Sequence, residues 1–296
     1  MIKKEIQPIE LLQIEQLFQD NNWEIEQDID IRVSLFQKFI DRYERIKKDD
    51  RDLFIKLSER FLRIQENEVY SIFRDSYNKI YDDYLESFDN IYILPLVEPY
   101  IDIADIESKK IARPKIKSGE KIKLFIELNE YRELKFSQKI ILPDDFSTIE
   151  KSFDMEKDLL ILVDDFIGSG KTANDILDSI FMDEKFNSSN VIILSLVAQE
   201  IGVNSIYDKH KVMTFFKYPK KRAISDFYHG EELNQRIQES NSMEDTMRIP
   251  SKWNLGYGKS EALVSIMNKS PNNTLPIFWY ETKAMIAPYK RYVNYK

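Results

Sequence analysis

The sequence predicts an α/β protein with a mostly parallel sheet flanked by helices, a helical bundle before it and a mixed extension after it. Three observations carry that expectation. Almost wholly apolar runs at 91–97, 159–163 and 191–197 have the composition of strands buried on both faces. Helical periodicity separates several of these runs, as parallel βαβ units require. From 8 to 89, apolar residues recur at helical spacing with few breaks. The expected division is a helical domain over 1–89, a sheet-containing core over 90–225 and an extension over 226–296.

In the amino-terminal segment, Ile29, Val33, Phe36, Ile40 and Tyr43 share one helical face, as do Phe54, Leu57, Phe61 and Ile64. A third set is Val69, Ile72, Phe73, Ile80, Tyr84 and Phe88. Polar clusters at 20–22 and 49–52 read as breaks between helices. The other faces are polar, so this segment reads as a bundle that packs on the sheet-containing core, or as a surface for a partner or an oligomer. Strands are expected at 91–97, 121–128, 159–163, 191–197 and 211–216, and helices at 172–181 and 201–209. Beyond residue 226 the spacing predicts a polar helix over 228–247, outside the sheet. After it come a glycine turn at 255–260, an apolar helical run at 262–267 and a breaker-rich turn at 270–276.

Composition narrows the function classes. The chain has 296 residues, is 43% hydrophobic and 32% charged, and carries a net charge of −8. That balance argues against a protein coating nucleic acid or anionic membrane through bulk charge. No run approaches the roughly 18 apolar residues of a membrane span, and the first residues lack the apolar core of a signal peptide. The expectation is a cytoplasmic protein without membrane contact. With no cysteine and two histidines, His210 and His229, thiolate chemistry is excluded and a histidine-rich zinc centre disfavoured.

The most informative stretch is 159–173. Five apolar residues end in Asp164 and Asp165; Phe166, Ile167, Gly168, Ser169, Gly170, Lys171 and Thr172 lead into a helix. Two of the chain's seven glycines fall in this loop. A helix amino terminus offers unpaired N–H groups and partial positive charge to a phosphate, and glycine lets backbone approach it closely. Two carboxylates at the strand end can accept hydrogen bonds from a pair of sugar hydroxyls. Gly170-Lys171-Thr172 also ends like a nucleotide-triphosphatase P-loop, but Asp165 occupies the position of its first glycine and would repel the phosphates. A dinucleotide fingerprint matches Gly168, Gly170 and Ala173, yet its first glycine should come directly after the strand. A solvated turn after a core strand is the plain structural alternative.

These residues resemble the signature of type I phosphoribosyltransferases, and especially the hypoxanthine-guanine type with its Gly-Lys-Thr ending. The resemblance implies that Asp164 and Asp165 are catalytic residues holding the ribose 2′- and 3′-hydroxyls of phosphoribosyl pyrophosphate. It also implies that they bind Mg²⁺ directly or through water. Ile167, Gly168, Ser169, Gly170, Lys171 and Thr172 would form the 5′-phosphate loop. A wider resemblance, over about 90–280, is to phosphoribosyltransferase-like proteins of bacterial conflict systems, some of which accompany retron reverse transcriptases. It rests on the core motif with 255–264 and 271–279. It implies a toxic effector of antiphage defence, with a protein or ribonucleoprotein partner docked on the amino-terminal helices. A catalytically silent nucleotide-binding or structural subunit is the alternative.

The chain departs from the family pattern in two places. Gly168 stands where the hypoxanthine-guanine type has an aspartate that handles the purine proton, which argues against ordinary purine salvage. After Val97 the residues do not match the usual pyrophosphate loop. A basic stretch holding Lys109, Lys117, Ser118 and Gly119 is the substitute expected to bind pyrophosphate or another polyanion, with a solvated lysine loop as the alternative. Lys217, Tyr257, Asn272 and Asn273 are the expected base and hood residues, again by resemblance.

Overall fold

A computed structural model describes residues 6–25, 33–98, 117–129, 131–282 and 285–291. The chain packs as two compact units. One is Asn67–Lys220; the other joins Met1–Glu66 to Lys221–Lys296. Breaks at 66 and 220 thus differ from the expected 89 and 225. The helix Val69–Tyr77 packs on the sheet, and 78–89 falls in the same unit, while Ala223 and Ile224 enter the core of the other unit.

The unit Asn67–Lys220 is built on the expected parallel sheet. The first described strand, β1 (Leu62–Ile64), lies in the other unit. The described strands of the sheet are β2 (Asn90–Pro95), β3 (Ile140–Ile141), β4 (Asp158–Ile167), β5 (Val191–Gln199) and β6 (Thr214–Lys220). Their order is β3-β2-β4-β5-β6, and every pairing is parallel. Leu159 to Val163 and all of β5 are buried, which is why these strands read as unbroken apolar runs. α4 (Val69–Tyr77) packs on β5 and β6, while α6 (Ser118–Leu128) packs on β2 and β4. α8 (Lys171–Ile180) buries Ala173, Ile176, Leu177 and Ile180 in a core with Leu94, Leu160, Leu162 and Ile193. α9 (Glu200–His210) packs beside α8. The short α5 (Asp82–Glu86) and α7 (Phe146–Glu150) complete the described helices of this unit. α4 and α5 therefore fall in the sheet-containing unit, not in an amino-terminal bundle ending at 89.

Two expected elements change type. The strand expected at 121–128 is the helix α6. Gly119, Ile122 and Ile126 are buried at helical spacing, whereas Leu124 and Leu128 are exposed. The Lys117 N–H donates to the Glu120 carboxylate, which caps the first turn. The apolar run at 262–267, expected to be helical, is extended. Its Val264–Ile266 forms β7 and pairs in parallel with β1. Positive φ at Glu261, Met267 and Asn268 interrupts any helix there. The fifth strand of the sheet also lies later than expected, at 214–220 rather than 211–216.

The second unit is assembled from both ends of the sequence. α1 (Pro8–Asp20), α2 (Leu35–Arg45) and α3 (Arg51–Glu59) contribute Ile14, Phe18, Phe39 and Phe54 to one buried cluster. Met243 from α10 (Gly230–Thr246) joins them, together with Leu275, Phe278 and Tyr289. Phe61 stacks on Tyr289 at 4.3 Å between centroids and 8° between planes. Among the described residues, no helix is long and apolar enough to cross a membrane.

Candidate functional site

In the sheet, the chain moves outward from β2 to β3 and then returns to place β4 on the other side of β2. Connections therefore leave the carboxyl ends of β2 and β4 in opposite directions and open a crevice between them, where open parallel sheets bind ligands. Asp164 and Asp165 lie at this end of β4, just past the Pro95–Val163 pair. Both are part-exposed, in contrast to the fully buried residues that precede them.

The loop after β4 closes with Gly170 at φ +76°, a left-handed conformation that favours glycine. The Asn174 N–H donates to the Gly170 carbonyl at 2.9 Å and begins the helical ladder of α8. The first-turn amides of α8 consequently face the loop without intrahelical partners. The Lys171 N–H makes a long 3.5 Å contact to Ser169 Oγ. Gly168 and Gly170 are buried, Ser169 is half-buried, and Lys171 and Thr172 are exposed. Ile167 sends its side chain into the core, so it can offer a ligand only backbone.

α6 begins at the same crevice. A Cβ on Gly119 would collide with the Val163 carbonyl oxygen and stand 3.1 Å from Leu96 N and Pro95 Cβ. Only glycine lets the helix start settle over the gap between β2 and β4. The side chain of the preceding residue, Ser118, comes close enough to Asp164 to favour its charged form. The Asp165 N–H donates to Asp164 Oδ1 at 2.9 Å. Burial and the adjacent Asp165 charge nevertheless push the Asp164 carboxyl well above the usual carboxylate range. Crowded carboxyl oxygens of this kind suit a hard divalent cation, which would relieve their repulsion.

The expected residues therefore fall into groups. Asp164, Asp165, the 167–172 loop, Ser118 and Gly119 converge at the crevice, and Lys117 caps the helix that Ser118 begins. Lys109 lies outside the described residues. Lys217 lies on β6, but its ammonium pairs with Asp75 of α4 at 2.9 Å. Tyr257, Asn272 and Asn273 come together in the other unit. The Tyr257 N–H donates to the Asn272 carbonyl at 2.8 Å, and Asn273 Nδ2 donates to Ser260 Oγ at 2.9 Å. The Asn273 amide thus pins one turn to another.

One residue escaped the sequence reading. Gly202, in the first turn of α9, touches the 168–170 loop. The available signal was an isolated glycine within a helical pattern, a mark of close backbone approach. Among the described residues, no group of three or more His, Cys, Asp or Glu side chains is arranged to hold a metal. A cation at Asp164 and Asp165 would take its other ligands from water or substrate oxygens.

A protein-family model, PRTase-CE, matches residues 36–292, which include β4, its loop and the start of α6. No curated protein matches the chain.

Proposed function

Because the chain belongs to the PRTase-CE family of phosphoribosyltransferase-like effectors, we propose that it binds phosphoribosyl pyrophosphate or a related nucleotide with Mg²⁺ and transfers the phosphoribosyl group. The observation that carries this reading is the crevice itself. An acidic pair, an unpaired helix amino terminus and a second helix start meet between β2 and β4.

In this reading the amides of 168–172 hold the 5′-phosphate. Asp164 and Asp165 accept hydrogen bonds from the ribose 2′- and 3′-hydroxyls and fix the ring. As the bond to the leaving group lengthens, positive charge grows at the anomeric carbon and the acidic pair stabilises it. Ser118, Gly119 and the first turn of α6 lie where the departing pyrophosphate would be held. Bound Mg²⁺ would neutralise charge on that leaving group.

The biological setting we propose is a cytoplasmic toxic effector of a bacterial antiphage system. A protein or ribonucleoprotein would dock on the amino-terminal helices and restrain it, with self-association as a further possibility. α1 exposes Ile9 and Leu12 at 62% and 59%, which supports a docking role for that segment. Gly168 favours a second reading, a silent nucleotide-binding or structural subunit, because it supplies no acid or base.

One experiment separates the two readings. The pure protein is incubated with Mg²⁺, phosphoribosyl pyrophosphate and a nucleotide pool, and mass spectrometry tracks species consumed and formed. Turnover that disappears in Asp164→Asn/Asp165→Asn supports the transferase. Binding without turnover, with or without a partner, supports the silent subunit.

A further inference from the structure

We propose that Gly202 is a positioning residue for the phosphate loop, although it lies on a different strand–helix turn; this rests on the reading of 168–172 as a phosphate cradle. Gly202 occupies the first turn of α9, directly after β5. A Cβ there would collide with the Gly168 carbonyl oxygen and stand 3.0 Å from the Gly170 nitrogen. In the other direction, a Cβ on Gly170 would stand 2.7 Å from the Gly202 carbonyl oxygen and 3.2 Å from its Cα. The two backbones touch with no side chain between them.

Glycine weakens a helix relative to alanine, so its presence inside α9 calls for a local reason. Contact with the loop supplies one. A second tie lies one turn later, where Asn174 Nδ2 donates to Ser205 Oγ at 2.9 Å. Asn174 also donates its N–H to Gly170. α9 thus supports the loop at Gly168–Gly170 and holds the first turn of α8 through Ser205. Successive amides converge on one anion only while the backbone keeps its turn conformation, and Gly170 sits at positive φ within that turn. Gly202 acts through this backbone and needs no ligand contact of its own.

The test is a titration of the ¹⁵N-labelled full chain with inorganic phosphate, read by amide shifts. In the wild type, the amides of 168–172 and of Gly202 move together with one midpoint. Gly202→Ala raises that midpoint about tenfold while resonances elsewhere in the sheet stay in place. Ser205→Ala removes only the hydrogen-bonded tie and raises the midpoint about threefold, and Ser205→Thr restores it. A wild-type midpoint in Gly202→Ala overturns the proposal. If Gly202→Ala does not fold, a wild-type midpoint in Ser205→Ala overturns it instead. A wild type whose 168–172 amides ignore phosphate sinks the cradle reading itself, an outcome distinct from variants that bind as the wild type does.

Discussion

Asp164 stands under opposing influences: Ser118 and the Asp165 amide favour its charged form, while burial and the Asp165 carboxylate oppose it more strongly. Replacing both acids by the amide isosteres removes the repulsion while keeping shape. Asp164→Asn/Asp165→Asn is expected to melt at the same temperature or higher. Its affinity for Mg²⁺ with phosphoribosyl pyrophosphate should fall by about 10²-fold or more, measured by calorimetry beside thermal melts. Glu244 makes a different prediction. It is fully buried, accepts one hydrogen bond from the Leu255 N–H at 3.1 Å, and burial pushes its carboxyl to about 8. The unfolded chain ionises this group near the ordinary value of 4.5. Its contribution to stability is complete below that value, declines as pH rises, and is lost above about 8. The loss is on the order of 5 kcal/mol, which Glu244→Gln should abolish. Urea midpoints of both proteins from pH 5 to 9 check this, and parallel curves would refute it.

Element by element, legibility in the sequence tracked burial. β4, its loop and α8 could be read directly, because a strand covered on both faces leaves an unbroken apolar run. α6 could not. In Lys121 to Leu128, exposed Leu124 and Leu128 added apolar residues to the solvent face and mimicked strand composition. β7 was equally hidden, since its partner β1 has three residues and lies in a stretch otherwise helical. The acidic pair was visible as a motif, but the approach of Ser118 to it depends on where α6 begins. Gly119→Ala tests that placement. The added methyl would collide with Val163 and push the helix start off the β2–β4 gap. A cost of about 1–3 kcal/mol is expected. Ligand affinity should fall with it, because the start of α6 moves away from the Asp164 end of the crevice. A variant with wild-type melting and affinity would show that the helix start has room to spare.

For the whole molecule, the two-unit partition makes a truncation experiment decisive. Residues 67–220 contain the sheet, its helices and the crevice, and should fold alone and respond to inorganic phosphate by amide shifts. Residues 67–296 lack α1 to α3 and β1, whose buried side chains meet Phe278 and Tyr289. Their tail beyond 220 should be digested rapidly by protease while the sheet resists. Equal protection of that tail would contradict the shared core. Sequence periodicity could not reveal this arrangement, because it reports local faces and not which distant segments cover them.

The pairing of β1 with β7 joins positions about 200 residues apart. On a ribosome, Leu62 emerges long before Val264 exists, so the first helices must wait with Phe39, Phe54 and Phe61 unsheltered while the sheet unit is made and folds. Closing so long a loop is slow, and the interval leaves greasy surface open to chaperones or to a second nascent copy. Newly made chains are thus most prone to aggregate before residues 264–289 are translated.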